Sequence, residues 1–283
     1  MTDLRALLTA GSPAIHVEIA AIRGSSPREA GAFMLVTADS FAGSIGGGQL
    51  EYAALDRARR MLRDGLPAET MDVPLGPEIG QCCGGHVTLA LTALDAPRAA
   101  ALLARLDAED EARPHVLILG AGHVGRALAA ALALLPVRPV LIDQRAAELA
   151  RAPAGVEIRL SALPEADVSA APPGSAFVVM THDHALDFLV TDVALARGDA
   201  AYVGLIGSAT KRARFRAWRA RGGVSRSDAL AGLTCPIGGP SGDKRPAVIA
   251  AMTAAEIVAA LSGPPTPASP APATSRITAK APR

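Results

Sequence analysis

From His115 onward, short apolar runs alternate with stretches of helical period. Runs with β-branched residues occupy 115–119 (HVLIL), 139–143 (PVLID), 156–160 (VEIRL), 176–181 (AFVVMT) and 201–207 (AYVGLIG). Between them, an Ala/Leu-rich stretch to about Leu135, residues 184–197 and KRARFRAWRA (211–220) predict helices. Continuous apolar runs suit strands buried on both faces, and the helices supply the crossovers that parallel strands need. The predicted fold is α/β, with a Rossmann-like, doubly wound parallel sheet in this half and a smaller α+β domain before it.

The first half has a different pattern. AIHVEIAAIRG (14–24) and GAFMLVTA (31–38) read as two strands joined by SSPREA. A turn containing Asp39, Ser40 and Gly43 follows, then SIGGGQLE (44–51) leads into a helix over about 51–64, and HVTLALTAL (86–94) reads as another strand. The charge rises at LDAEDEARP (106–114), just before Pro114, so the predicted division is an α+β domain over 1–111 and a Rossmann-like domain over 112–262. RPAVIAAMTAAEIVAAL (245–261) predicts a helix, with Pro246 suited to its first turn. The Pro- and Ala-rich residues 263–283 predict a disordered tail.

Half of the 283 residues are apolar, enough for a sizeable core in each domain. The net charge is +1 and only eight residues are aromatic, which disfavours a nucleic-acid binder built on stacking and a basic face. No apolar run reaches the ~18 residues of a membrane span, and Ala127–Leu135 is too short. The N-terminus lacks a signal pattern, so a cytoplasmic location is expected. Thiols stay reduced there, which argues against a disulfide framework from Cys82, Cys83 and Cys235.

Residues 120–125, GAGHVG, match G-x-G-x-x-G between a strand and a helix. Asp143 follows eighteen residues after the last glycine, at the end of the next strand, where a carboxylate meets a ribose hydroxyl in dinucleotide-binding folds. Gly120 would permit the tight turn, Gly122 the approach of a phosphate to backbone amides, and Gly125 close helix–strand packing. His123 sits at the mouth of this turn or simply faces solvent. THDH (181–184) places His182, Asp183 and His184 at the same carboxyl edge, with a spacing that specifies no metal.

Three further stretches carry glycine at turns: GSSPREAGAFMLV (24–36), GSIGGGQLE (43–51) and GQCCGGHV (80–87). Tight turns alone would account for the glycines, because glycine reaches positive φ cheaply. They would not account for adjacent thiols.

Together with ILGAGHVGRAL, LIDQR, THDHALD and GLIGSATKRARF, these pieces resemble the XdhC/CoxI family of accessory proteins for molybdenum hydroxylases, over about residues 5–262. The resemblance implies a carrier rather than a substrate-turnover enzyme. Such a carrier receives molybdenum cofactor, in its molybdopterin form, from molybdenum cofactor biosynthesis proteins. It protects the cofactor, assists its sulfuration by a cysteine desulfurase and delivers it to apo-xanthine dehydrogenase. The amides of Gly46, Gly47 and Gly48, or of Gly84 and Gly85, would then hold the cofactor phosphate, and Gln49 and Glu51 would serve the pterin. In an extended segment Cys82 and Cys83 point to opposite faces. Cys83 is the first choice for a molybdenum contact, a soft thiolate suiting that metal, and Cys82 the second. A homodimer is expected, because delivery needs partner surfaces. CPIGGPSGDKRPAVIAAM (235–252) departs from the family pattern: Gly239 stands where relatives carry leucine, and Lys244-Arg245-Pro246 replaces an acidic helix start.

Two other readings compete. An NAD-dependent oxidoreductase, with His123 or His182 as acid/base, explains the glycine turn but not the three N-terminal stretches. A nucleotide-sensing interaction protein predicts nucleotide binding without pterin.

Overall fold

The structure, a computed structural model, describes residues 3–76, 84–222, 230, 232–239 and 242–263. The chain separates into two compact units between Ala112 and Arg113.

The first unit runs α1 (Leu4–Thr9), β1 (Ile15–Arg23), β2 (Phe33–Val36), β3 (Phe41–Gly43), α2 (Gly48–Asp64), β4 (Ala68–Pro74), β5 (His86–Ala93) and α3 (Ala96–Glu111). Its antiparallel sheet has the order β3-β2-β1-β5-β4. Alternation along β1 sends Ile15, Val17 and Ile19 into one core with Leu50, Ala54, Ala58 and Met61, which repeat at helical spacing along α2. The opposite core joins Phe33 and Leu35 to Leu7, Leu8 and Leu102 of the flanking helices. The division between Ala112 and Arg113 falls inside the predicted boundary stretch 106–114, whose acids form the last turns of α3. Asp95 caps that helix by accepting from the Arg98 amide, and Asp107 and Asp110 pair with Arg5.

His16 belongs to this second core, edge-on to Phe33 with ring centroids 5.2 Å apart. Its buried Nε2 has no partner among the described residues. Burial first, then Arg98 and Arg105, push its pKa from 6.5 down to about 4. Between pH 6.5 and 4 the unfolded chain therefore binds a proton that the folded chain refuses, and stability falls as pH falls through that window. The full loss is about 3 kcal/mol at ~1.36 kcal/mol per pKa unit. Chemical denaturation at pH 7 and pH 4 should show this difference, and His16→Leu should flatten it. An unchanged slope in that variant would refute the assignment.

The second unit runs β6 (His115–Leu119), α4 (His123–Leu132), β7 (Arg138–Asp143), α5 (Ala146–Leu149), β8 (Glu157–Leu160), α6 (Pro164–Ala170), β9 (Ala176–Val179), α7 (His184–Ala196), β10 (Tyr202–Leu205), α8 (Ala209–Arg221), β11 (Leu233–Thr234) and α9 (Pro246–Ser262). The six strands are parallel in the order β11-β10-β9-β6-β7-β8. Val116 and Ile118 of β6 face Leu128 and Leu132 of α4 and Ala250 and Ile257 of α9. Leu117 and Leu119 face Val168, Val190 and Phe215 on the other side. With β7 on one side of β6 and β9 on the other, the connections diverge at β6, and a crevice opens at the carboxyl ends of the strands. Residues 264–283, within the predicted tail, lie outside the described residues.

Candidate functional site

At the carboxyl end of β6 the glycine turn is built by close contact. A Cβ on Gly120 (φ +127°) would stand 2.6 Å from the Met180 carbonyl carbon, and one on Gly125 would stand 3.1 Å from the Gly120 carbonyl carbon. Gly122 differs. Its φ is −67°, it caps α4, and no atom would lie within 4 Å of its Cβ. The space in front of the helix N-terminus is therefore open to a ligand. Gly120, Asp143, Gln144, Thr181 and His182 line the crevice.

Asp143, buried at the end of β7, is committed to the protein. One carboxylate oxygen accepts from the Arg145 amide and Nε, both at 2.9 Å, and the other from the Ala121 amide at 2.7 Å and Arg145 Nη2 at 2.9 Å. Burial pushes its pKa up, but Arg145 and the two amides outweigh that and hold it below the ordinary carboxylate value. Ala121 is braced from its other side too: its carbonyl accepts from Arg126 Nη1 at 2.5 Å, and the same nitrogen pairs with Glu148 at 2.6 Å. His123 and His182 are exposed, the first opening α4 and the second at the crevice edge. Asp183 caps α7, accepting from the amides of Ala185 and Leu186. No cluster of three metal-ligating side chains occurs among the described residues.

Sequence reasoning missed one feature of this edge. Asp187 of α7 is fully buried, and one of its oxygens lies 2.5 Å from Lys211 Nζ of α8. The other accepts from both the amide and the hydroxyl of Thr181 at 2.8 Å. This network fixes the residue preceding His182. The only signal in sequence was an acid on the buried side of an apolar helix and a lysine shortly after Gly-Ser.

In the first unit the three glycine-bearing stretches meet. A Cβ on Gly85 would stand 2.8 Å from the Ser25 carbonyl carbon, and one on Gly46 would stand 2.5 Å from Pro27 Cγ. The loop 24–31 is thus wedged between the other two. Glu51, assigned to the pterin by the resemblance, also holds the loop: its Oε1 accepts from Ser44 Oγ at 2.6 Å, from the Ile45 amide at 3.0 Å and from the Gly47 amide at 2.9 Å. The Gly46 amide donates to Ser44 Oγ and the Gly84 amide to the Leu75 carbonyl. Among the described residues the amides of Gly48 and Gln49, both exposed in the first turn of α2, have no protein acceptor. Cys82 and Cys83 lie outside the described residues. Gly84 and Gly85, which follow them, are paired with Leu75 beyond the end of β4. Cys235 is buried in the second unit, where burial pushes its thiol pKa up.

Residues 116–257 match the family model described as the XdhC Rossmann domain, and residues 7–73 match that of the XdhC and CoxI family. The Escherichia coli K12 protein YqeB, described as uncharacterized, is 30% identical over 138 residues, 47% of this chain but only 22% of the relative's length. A Bacillus halodurans crystal structure described as a xanthine dehydrogenase aligns with a TM-score of 0.75 over 92% of this chain and 96% of that one. At 18% identity, that likeness speaks for the fold.

Proposed function

The chain belongs to the XdhC and CoxI family, and we propose that it carries molybdenum cofactor, in the molybdopterin form, to apo-xanthine dehydrogenase. In this reading it also shelters the cofactor while a cysteine desulfurase supplies sulfur. The observation that supports the reading best is the meeting of loop 24–31, the Gly46–Gly48 turn and Gly84–Gly85 in one place. Three of the family's sequence pieces, distant along the chain, pack against one another there.

The cargo has two contrasting ends. Its phosphate suits the amides of Gly48 and Gln49, which lack an acceptor among the described residues and lie where the helix dipole of α2 favours negative charge. Glu51 holds the turn in shape for that contact without touching the cargo. The soft, metal-bearing end suits a thiolate, the role we assign to Cys83, with Cys82 supporting. The second unit, on this reading, takes a dinucleotide at the opening in front of Gly122.

Protein purified anaerobically from cells that make molybdenum cofactor should carry molybdenum and pterin near one per chain. Pterin-free protein under those conditions would sink the proposal. Cys83→Ser replaces an ionisable soft donor with a hydroxyl that stays protonated. It should lower molybdenum retention with the melting temperature unchanged, and Cys82→Ser should lower it less. Normal loading of the double serine variant would remove the thiols from the mechanism.

A further inference from the structure

We propose that the crevice of the Rossmann-like unit selects a dinucleotide phosphorylated at its adenosine 2′ position, with Arg145 reading that phosphate. The inference rests on the dinucleotide reading above and specifies its ligand.

The argument starts from acceptor capacity. A carboxylate offers about four lone-pair positions. Asp143 receives four donors: the amides of Ala121 and Arg145, and Nε and Nη2 of Arg145. None is left for a ribose diol, the contact by which a carboxylate at the end of this strand selects an unphosphorylated ribose.

What the same place offers instead is positive charge. Arg145 spends two of its five N–H groups on Asp143, and its side chain is 39% exposed. Both hydrogens of Nη1 remain for a ligand. Around it, Arg126 is paired with Glu148, and Arg151 and Arg145 both act on Glu148, so three guanidiniums face two carboxylates. A guanidinium matches a phosphate in charge and in geometry, and a bare diol in neither.

The test uses the full chain, with NADP+, NAD+, 2′,5′-ADP and 5′-AMP titrated calorimetrically at one fixed salt concentration. Charge-assisted hydrogen bonds to the phosphate should make NADP+ bind about ten- to a hundredfold tighter than NAD+, and 2′,5′-ADP correspondingly tighter than 5′-AMP. Arg145→Ala leaves Asp143 with its two amide donors but frees two acceptor positions. NADP+ binding should therefore fall while NAD+ binding holds or rises, a crossing that simple loss of structure would not produce. Arg145→Lys should keep part of the preference. Equal affinity for NAD+ and NADP+ in the native chain would overturn the inference and leave the dinucleotide reading standing. So would equal losses for both ligands in Arg145→Ala. Binding of neither dinucleotide would overturn that reading, and this inference with it.

Discussion

Lys211→Ala should destabilise the Rossmann-like unit by about 3–5 kcal/mol, the cost of leaving one member of a buried ion pair alone. Asp187 is fully buried, and Lys211 holds one of its oxygens from 2.5 Å with a side chain 13% exposed. Thr181 satisfies only the other oxygen. In a unit of this size the melting temperature should drop by roughly 10 °C. Replacing both partners, Asp187→Asn with Lys211→Met, should recover much of the loss, because no charge is then stranded. A loss below about 1 kcal/mol in the single variant would mean that water reaches the carboxylate.

Gly85→Ala should cost about 3 kcal/mol in the first unit, the upper part of the range for overpacking. The new methyl would stand 2.8 Å from the carbonyl carbon and 3.0 Å from the nitrogen of Ser25, and backbone cannot rotate away as a side chain can. Gly84→Ala is the control. Nothing lies within 4 Å of its Cβ, but its φ is +65°, so it should cost only ~1 kcal/mol of backbone strain. Because Gly85 seats loop 24–31, its substitution should also abolish cofactor loading in the protein that still folds. Equal stability losses in the two variants would contradict the packing described for Ser25.

These contrasts also show what sequence could and could not reveal. The strands of the second unit were legible because parallel strands covered on both faces leave uninterrupted apolar runs, as in HVLIL and AFVV. β4 was not, because an edge strand reading AETMDVP buries little beyond Val73, and neither was the three-residue β3. α3 was hidden by its own acids, which lie on the solvent side of a helix whose buried residue is Leu102. At the candidate site the glycine turn and the position of Asp143 were legible, since spacing along one βα unit fixes both. The occupancy of Asp143 was not, because it depends on which way Arg145 turns. Glu51 was singled out for the pterin, and the bonds of its Oε1 to the amides of its own loop were not legible, because they depend on how the three glycines fold back on the helix start. The Asp187–Lys211 pair spans 24 residues and two helices, and no local pattern announces such a partnership.

The packing of α9 against α4 has a bearing on how the chain is made. Ile257 and Ala250 cover Leu128 and Leu132, so the first crossover helix of the second unit is closed by the last. Ile257 follows Leu132 by 125 residues, and at ~5–20 residues per second the ribosome needs roughly 6–25 s to supply them. For that interval β6 can cover these leucines, but the side of α4 that α9 closes stays exposed on the nascent chain. Birth, rather than the finished state, is then the moment at which this half of the molecule most needs a chaperone.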